Sequence, residues 1–240
     1  METAYLFACG LGCATWLACF AVRPDLRRLM LFMSCVGIPL ALSDLFYVPR
    51  YWRPKTWGHI PVGVEGVLFS FEAAGICAVI YAIVMGNTIV PQLTGVPNLR
   101  RLVQPKTLIA LIPLPVSTLI SIALNTNLEW GLYTGLIVAI LATAAVRPDL
   151  ARPALLGGLA FLPVYTASLV IWVAAYPEVT GWFTLWKMPH WYLLGVPLTE
   201  IAFGGLFAAY WTGLYPMVFD ARYAEGRGAE LSERAAPMPS

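Results

Sequence analysis

The chain has 240 residues, of which 59% are hydrophobic and only 12% charged, and its formal net charge is +2. This composition excludes an ordinary soluble domain, because several apolar runs are long enough to cross about 30 Å of hydrocarbon. So small a net charge also gives no support for a nucleic-acid partner. The sequence therefore predicts an integral, multi-pass membrane protein of the cell or plasma membrane.

Seven apolar runs follow one another, and each is predicted to be a transmembrane helix, because backbone polar groups in hydrocarbon must bond internally. The first run has no basic leader and no small-residue cleavage site, so we expect it to remain as a span. Residues 220–240, rich in charge, Ala and Pro, are expected to form a disordered tail. The predicted spans are 4–22, 29–49, 61–86, 107–124, 129–146, 154–175 and 192–218.

Basic residues are distributed unequally between the two sides of the predicted bundle. The side with the most basic residues is expected to be cytoplasmic, which places the N-terminus outside and the C-terminus in the cytoplasm. Aromatic residues in the other set of loops fit an interfacial belt. Eleven basic residues lie on the predicted inner side (Arg23, Arg27, Arg28, Arg100, Arg101, Lys106, Arg147, Arg152, Arg222, Arg227 and Arg234), and four on the outer side (Arg50, Arg53, Lys55 and Lys187).

The segment AVRPDL occurs twice, at 21–26 and 145–150, and it ends an apolar run each time. At the same offset Pro39 aligns with Pro163, and after a longer second loop Glu65 aligns with Glu200. The predicted fold is all-α, with seven transmembrane helices arranged as two parallel three-helix repeats joined by a linker helix. The predicted domains are a first repeat (1–106), a linker helix (107–128), a second repeat (129–219) and the tail (220–240).

Neither a metal site nor a cofactor motif can be recognised in the sequence. The five cysteines fall in the first three predicted spans, where small apolar packing residues are expected, and they form no CxxC or Cys/His pattern. The segment GLGCATW at 10–16 lacks the third glycine and the strand–helix context of a dinucleotide site. No cofactor is therefore assigned.

Four acidic residues lie inside predicted spans, where an ionised carboxylate costs a few kcal/mol. They are Asp44, Glu65, Glu72 and Glu200. Because no intramembrane Lys or Arg is available as a partner, we expect protonated or hydrogen-bonded carboxyl groups that face the bundle interior. Glu65 and Glu72 are seven residues apart and share one helix face with Phe69. A buried carboxylic acid can act as a proton donor, so these residues are the predicted catalytic set.

The segment PLTEIAF, at Pro197–Phe203, follows an aromatic loop and resembles a motif of the integral-membrane lycopene cyclase domain family. The family motif has the form Pro-x-Glu-Glu-x-x-Phe and opens a helix. Pro197, Glu200 and Phe203 match it, while Thr199 occupies the place of the first Glu.

The first half of the chain carries a weaker copy of the same motif in PVGVEGVLF. Glu65 fits the second Glu, Val64 replaces the first, and Pro61 is one position too early. Asp44, followed by a Tyr-Trp pair, resembles the family's upstream Asp and Trp. The resemblance covers almost the whole chain, including its two tandem units, and describes a diverged member.

The resemblance implies a carotenoid or other polyene substrate, a bilayer location and association with other carotenoid-pathway enzymes. It also implies acid–base cyclisation of a linear end group through a carbocation, with Glu65 and Glu200 as the leading pair. Glu72 is then a further candidate, and Asp44 a proton relay or cation stabiliser. Substrate contacts are expected from Pro197 and from four aromatic residues, Phe69, Phe71, Phe203 and Phe207, by cation–π stabilisation or packing.

Two other functions remain open on the sequence. Seven spans in a three-one-three arrangement with parallel repeats are also the plan of small-solute transporters. A non-catalytic carotenoid-binding subunit fits the absence of the first motif Glu in both copies. A retinal protein is excluded, because its Schiff-base lysine would lie midway along the last span, whereas Lys55, Lys106 and Lys187 lie in or beside loops.

Overall fold

The computed structural model describes residues 3–60, 62–91 and 104–225, and these are mostly helical. Seven helical segments within these ranges are long and apolar enough to cross a membrane, which confirms the predicted number of spans. Pro61, Arg100, Arg101 and the tail from 226 onward lie outside the described residues. The seven segments are Thr3–Val22, Pro24–Tyr47, Val64–Met85, Pro105–Ala123, Leu128–Val146, Pro148–Ala175 and Leu198–Phe219.

Nine α-helices and four short strands make up these segments and their connections in the described part of the chain. Strand β1 pairs antiparallel with β4, and β2 pairs antiparallel with β3. The helices are α1 Thr3–Val22, α2 Arg27–Gly37, α3 Asp44–Tyr47, α4 Val64–Met85, α5 Pro105–Leu111, α6 Pro113–Ala123, α7 Leu128–Val146, α8 Ala151–Ala175 and α9 Leu198–Phe219. The strands are β1 Thr88–Pro91, β2 Tyr192–Leu193, β3 Val196–Pro197 and β4 Ala221–Ala224.

Prolines divide two of the spans. Pro39 lies in a 3₁₀ segment, Ile38–Ser43, that separates α2 from α3, and Pro113 begins α6 immediately after α5. A proline has no N–H to donate and its ring clashes with the preceding turn, so a break or a tighter turn at these positions is expected. Helix α8, in contrast, continues through Pro163.

The two AVRPDL segments adopt the same local structure at the same end of the bundle. Arg23 (φ −125°, ψ 80°) and Arg147 (φ −131°, ψ 77°) each precede a 3₁₀ turn and donate through Nε and Nη2 to the aspartate two residues later. Each guanidinium also reaches the end of another span, with Nη1 donating to the carbonyl of Ala82 in α4 or Pro216 in α9. Each arginine thus ties the start of one span to the end of another.

The structure corrects two boundaries near the last span. The predicted start of this span at 192 is wrong, because residues 192–197 form the β2–β3 hairpin, with Leu194 and Gly195 at positive φ in its turn. Helix α9 begins only at Leu198. The expectation of disorder from 220 is also wrong for its first residues, because Ala221–Ala224 form β4 and pair with β1.

Helices α4 and α9 are the most enclosed of the spans. Helix α4 packs against α1, α2, α8 and α9, while α9 also packs against α7 and α8. The two central helices are joined where the buried Thr212 hydroxyl donates to the Cys77 carbonyl at 3.0 Å. Gly157 of α8 lies directly against Thr212, so the three helices approach closely at this level. The helices that carry the motif glutamates therefore form the core of the bundle.

Candidate active site

A cavity of about 820 Å³ opens between the spans, and we call it the central cavity. Its walls are mostly apolar and aromatic, and they come from both the first three and the last three spans. No Lys, Arg or His stands among the described residues that line it. Pockets for small ligands typically measure about 300–1,000 Å³, so this cavity is large enough for a sizeable apolar ligand. Its acidic lining residues are Asp44, Glu72, Glu129 and Glu200.

Glu200 is the best-supported carboxyl group in the cavity. It lies in the first turn of α9 and is buried. The Tyr51 hydroxyl donates to its Oε1, and the Tyr165 hydroxyl donates to its Oε2 at 3.4 Å. Both carboxyl oxygens therefore have hydroxyl donors, which favour the ionised form over the neutral one. The sequence-based prediction that Glu200 faces the bundle interior agrees with this position.

Tyr51 is held in place by contacts between two loops, the first aromatic loop (48–60) and the second aromatic loop (176–197). The Thr184 N–H donates to the Tyr51 carbonyl, and the Arg53 N–H donates to the Trp182 carbonyl at 2.8 Å. Burial, followed by the nearby charges of Glu200 and Glu129, raises the pKa of Tyr51 well above its ordinary value. The phenol therefore keeps its proton and remains a hydrogen-bond donor.

Glu72 lines the cavity from α4 and is almost completely buried. Its Oε2 has no hydrogen-bond partner among the described residues. Gly12 of α1 makes room for the carboxyl group, because a Cβ at this position would lie 2.0 Å from Glu72 Oε1. A side chain at position 12 would therefore displace the Glu72 carboxyl group, and no pattern in the sequence indicates that Gly12 and Glu72 are in contact.

Asp44 begins α3, is partly buried and lines the cavity. It lies against the next span, since a Cβ at Gly66 would be 2.6 Å from Asp44 Oδ2. This position, between the first aromatic loop and α4, is compatible with the predicted relay or stabilising role.

Glu65 is fully buried, but it is not among the residues that line the cavity. The Trp57 N–H donates to its Oε1 at 2.6 Å, so the carboxyl group turns back toward the first aromatic loop. The structure thus does not bring Glu65 and Glu200 together at one cavity wall. The repeat alignment predicts equivalent backbone positions, but it cannot predict which way each side chain turns.

Three of the four predicted aromatic residues reach the cavity. Phe69, Phe203 and Phe207 line it, whereas the Phe71 ring packs against Trp16 with centroids 5.5 Å apart. Pro197 is buried at the end of β3, where it precedes α9, and it is not a lining residue. Pro197 therefore defines the helix start rather than a cavity wall.

Glu129 was missed by the sequence analysis, although it lines the cavity and is 1% exposed. It is the first residue of the predicted fifth span, 129–146, and it does not stand among the four acidic residues predicted to matter. A local signal was available, because Asn127 is a good helix N-cap and its side chain accepts from the Glu129 N–H at 3.1 Å. Tyr51 was also missed, since a tyrosine in an outer loop fits an interfacial belt equally well.

The cavity reaches the exposed surface of the bundle beside α3 and α6. Leu42, Phe46 and Leu119 line it and are also 56%, 50% and 62% exposed. Leu42 lies in the 3₁₀ segment before α3, Phe46 in α3, and Leu119 in α6. We call this side the lateral opening, and its apolar residues suit a ligand dissolved in the bilayer.

No protein-family model, curated protein or solved structure matches the chain. Within the described ranges, no cluster of His, Cys, Asp and Glu has the arrangement of a metal site. The fold and the cavity therefore define a class: a seven-span helical membrane protein with carboxyl and aromatic side chains around an apolar internal cavity.

Proposed function

We propose that this protein is a membrane enzyme that cyclises the end group of a long polyene by acid–base catalysis, in the manner of a lycopene cyclase. One observation carries the proposal, namely that several carboxyl groups converge on an apolar cavity without a cationic partner among its described lining residues. Chemistry on a hydrocarbon needs a proton source and a charge to balance a carbocation, and these groups can supply both.

In the proposed reaction a carboxylic acid protonates the terminal C=C bond of the polyene. The resulting tertiary cation is attacked by a C=C bond further along the chain, which forms the ring carbon–carbon bond. A proton then leaves the carbon beside the new cationic centre, and a double bond forms there. The product is an isomer of the substrate, so no electrons are gained or lost and no oxidant is needed.

The side chains of the cavity are suited to these steps. The Glu200 carboxylate, held by Tyr51 and Tyr165, can face the cation and accept the returning proton. The rings of Phe203 and Phe207 can stabilise positive charge through their faces, and the apolar walls keep water away from the cation. Glu72 and Asp44 are the sequence-predicted candidates for the second carboxyl group, and we assign no step to Glu65.

The proposed architecture is the one predicted from the sequence, two parallel three-helix repeats with a linker span, an outer N-terminus and a cytoplasmic C-terminus. Arg23 and Arg147 each bind the aspartate two residues later and the end of another span, and we call these contacts the arginine clamps. The clamps support the repeat, because they are the same in each set of three spans. The basic-residue count supports the orientation. The lateral opening supports a polyene substrate that enters from the bilayer of the cell membrane, where other carotenoid-pathway enzymes would act nearby.

The proposal is tested by expressing the protein in lycopene-producing cells and separating the pigments by chromatography. The wild-type chain is expected to yield ring-bearing carotenoids, and Glu200→Gln to abolish them at equal expression. Glu178→Gln, in the exposed part of the second aromatic loop, is the matched control and should retain conversion. Recovery of unchanged lycopene from wild-type cells would refute the proposed cyclisation.

The two other functions give distinct results in related assays. A carotenoid-binding subunit, favoured by Thr199 and Val64 at the first motif position, would retain lycopene on the purified protein without converting it. A transporter would move a small solute or protons across the membrane of proteoliposomes. We favour the enzyme, because neutral polar groups, rather than a set of carboxyls, are the common choice in small-solute sites.

A further inference from the structure

Glu129 is a buried acid with no role in the function described so far. It lies in the first turn of α7, is 1% exposed and lines the central cavity. Its Oε1 has no hydrogen-bond partner among the described residues. An unpartnered polar oxygen at this depth is costly unless a ligand or a bound proton uses it, so its position at the cavity wall calls for an explanation.

Helix α7 is anchored so that Glu129 stays close to Glu200. The Asn127 side chain caps α7 and also donates to the carbonyls of Thr184 and Trp186, which fixes the helix start to the second aromatic loop. One turn after Glu129, the Tyr133 hydroxyl donates to the carbonyl of Thr199, the residue before Glu200. These contacts position the first turns of α7 and α9 side by side.

The two carboxyl groups act on each other and on the same neighbour. Glu129 and Glu200 interact electrostatically, and both carboxylates act on the Tyr51 phenol. In a low-dielectric cavity two neighbouring carboxyl groups do not both ionise, and such a pair shares a proton. Glu200 has hydroxyl donors on both oxygens, while Glu129 Oε1 has none. The Tyr133 hydroxyl also lies near the Glu129 carboxyl group, but it donates its proton to the Thr199 carbonyl. Hydrogen bonding therefore favours the charge on Glu200 and the proton on Glu129.

We propose that Glu129 is a catalytic residue, the acid that delivers a proton to the C=C bond of an apolar isoprenoid ligand, with the Glu200 carboxylate as its partner. The inference rests on the proposed function and assigns the proton donor within it. The proton leaves Glu129 for the less substituted carbon of the terminal C=C bond, the tertiary cation closes the ring bond, and Glu200 accepts the proton that the cation then releases. Proton transfer between the two carboxyl groups then restores the starting state.

The first test compares Glu129→Gln with wild type in purified protein supplied with lycopene in lipid vesicles. We expect the rate of conversion to fall by at least about 100-fold, the usual contribution of a general acid, while lycopene binding followed by tryptophan quenching is kept. Glu129→Asp keeps the acid on a shorter side chain, and part of the rate should remain. A Glu129→Gln protein that binds lycopene and converts it at more than half the wild-type rate would overturn the inference.

The second test separates the inference from the proposed cyclisation, because it needs no turnover. A long-chain isoprenoid tertiary amine, positively charged in place of the carbocation, serves as the probe. The ionised partner should dominate its binding, so Glu200→Gln should weaken binding at least about tenfold and Glu129→Gln much less. Equal losses in both variants, or a larger loss in Glu129→Gln, would contradict the assignment. If wild type binds the amine in this pattern but leaves lycopene unchanged, the cyclisation fails and the carboxyl pair stands.

Discussion

The close approach of α8 and α9 predicts that Gly157→Ala destabilises the bundle strongly. A Cβ at Gly157 would lie 2.2 Å from Thr212 Oγ1 and 3.0 Å from both Thr212 Cβ and Cγ2. Rotating Thr212 cannot relieve the contact with its own Cβ, so the two helices must move apart. Overpacking of this kind costs about 1–3 kcal/mol. Loss of the Thr212–Cys77 hydrogen bond between α9 and α4 adds about 1 kcal/mol.

The expected result is a fall of about 2–4 kcal/mol in the free energy of unfolding. The assay is reversible unfolding in mixed micelles with increasing SDS, followed by tryptophan fluorescence and circular dichroism. Gly10→Ala is the control, because a Cβ there has no atom within 4 Å. Adding Thr212→Ala to Gly157→Ala should recover part of the loss, since the clashing γ atoms are removed. If Gly157→Ala unfolds at the same SDS fraction as Gly10→Ala, the helix spacing described here is wrong.

Two further predictions concern access to the cavity and its shape. Leu119→Trp, at the lateral opening, should lower the initial rate of polyene conversion at limiting substrate. The control is Leu141→Trp, because Leu141 is exposed but does not line the cavity, and this variant should keep the wild-type rate. Equal rates in the two variants would argue against substrate entry between α3 and α6. Gly12→Ala should force the Glu72 carboxyl group from its position and lower conversion by up to about 100-fold without unfolding the protein, while Gly10→Ala leaves the rate unchanged. An unaltered rate in Gly12→Ala would mean that the position of Glu72 is immaterial to the chemistry.

The spans were predictable within a few residues, because hydropathy over about 20 residues measures the requirement for burial in hydrocarbon directly. Three starts differ by more: the second and sixth spans begin five and six residues earlier than predicted, at Pro24 and Pro148, and the last begins six residues later, at Leu198. Residues 192–197 are apolar enough to extend the run, but their backbone turns at Leu194 and Gly195 and forms a hairpin. Hydropathy depends on composition alone, so it cannot predict that the backbone turns within an apolar run.

The cavity residues were only partly predictable, for a reason that is clear in Glu65 and Glu129. Both lie in the first turn of a helix, where a carboxyl group can turn toward the preceding loop or toward the bundle. Glu65 accepts from the Trp57 N–H of the loop, whereas Glu129 faces the cavity. That choice depends on how loops and neighbouring helices pack, which a single sequence does not contain. The same reasoning predicted an inward-facing Glu200, and it is Tyr51 and Tyr165 of other elements that bind its carboxyl group.

The two ends of the bundle are joined in different ways. At one end each arginine clamp stays within its own set of three spans, as Arg23 does with Ala82, and the two sets are joined by the backbone pairing of β1 with β4. At the other end the loops cross over, so that Tyr51 from the first set binds Glu200 in the second, and the Trp52 backbone bridges to Phe183. Neither set of spans can complete the carboxyl group's surroundings by itself. The second aromatic loop supplies none of the cavity's acidic groups. Because its Thr184 N–H holds the Tyr51 backbone, however, this loop sets the position of the Tyr51 hydroxyl and thereby influences the charge on Glu200.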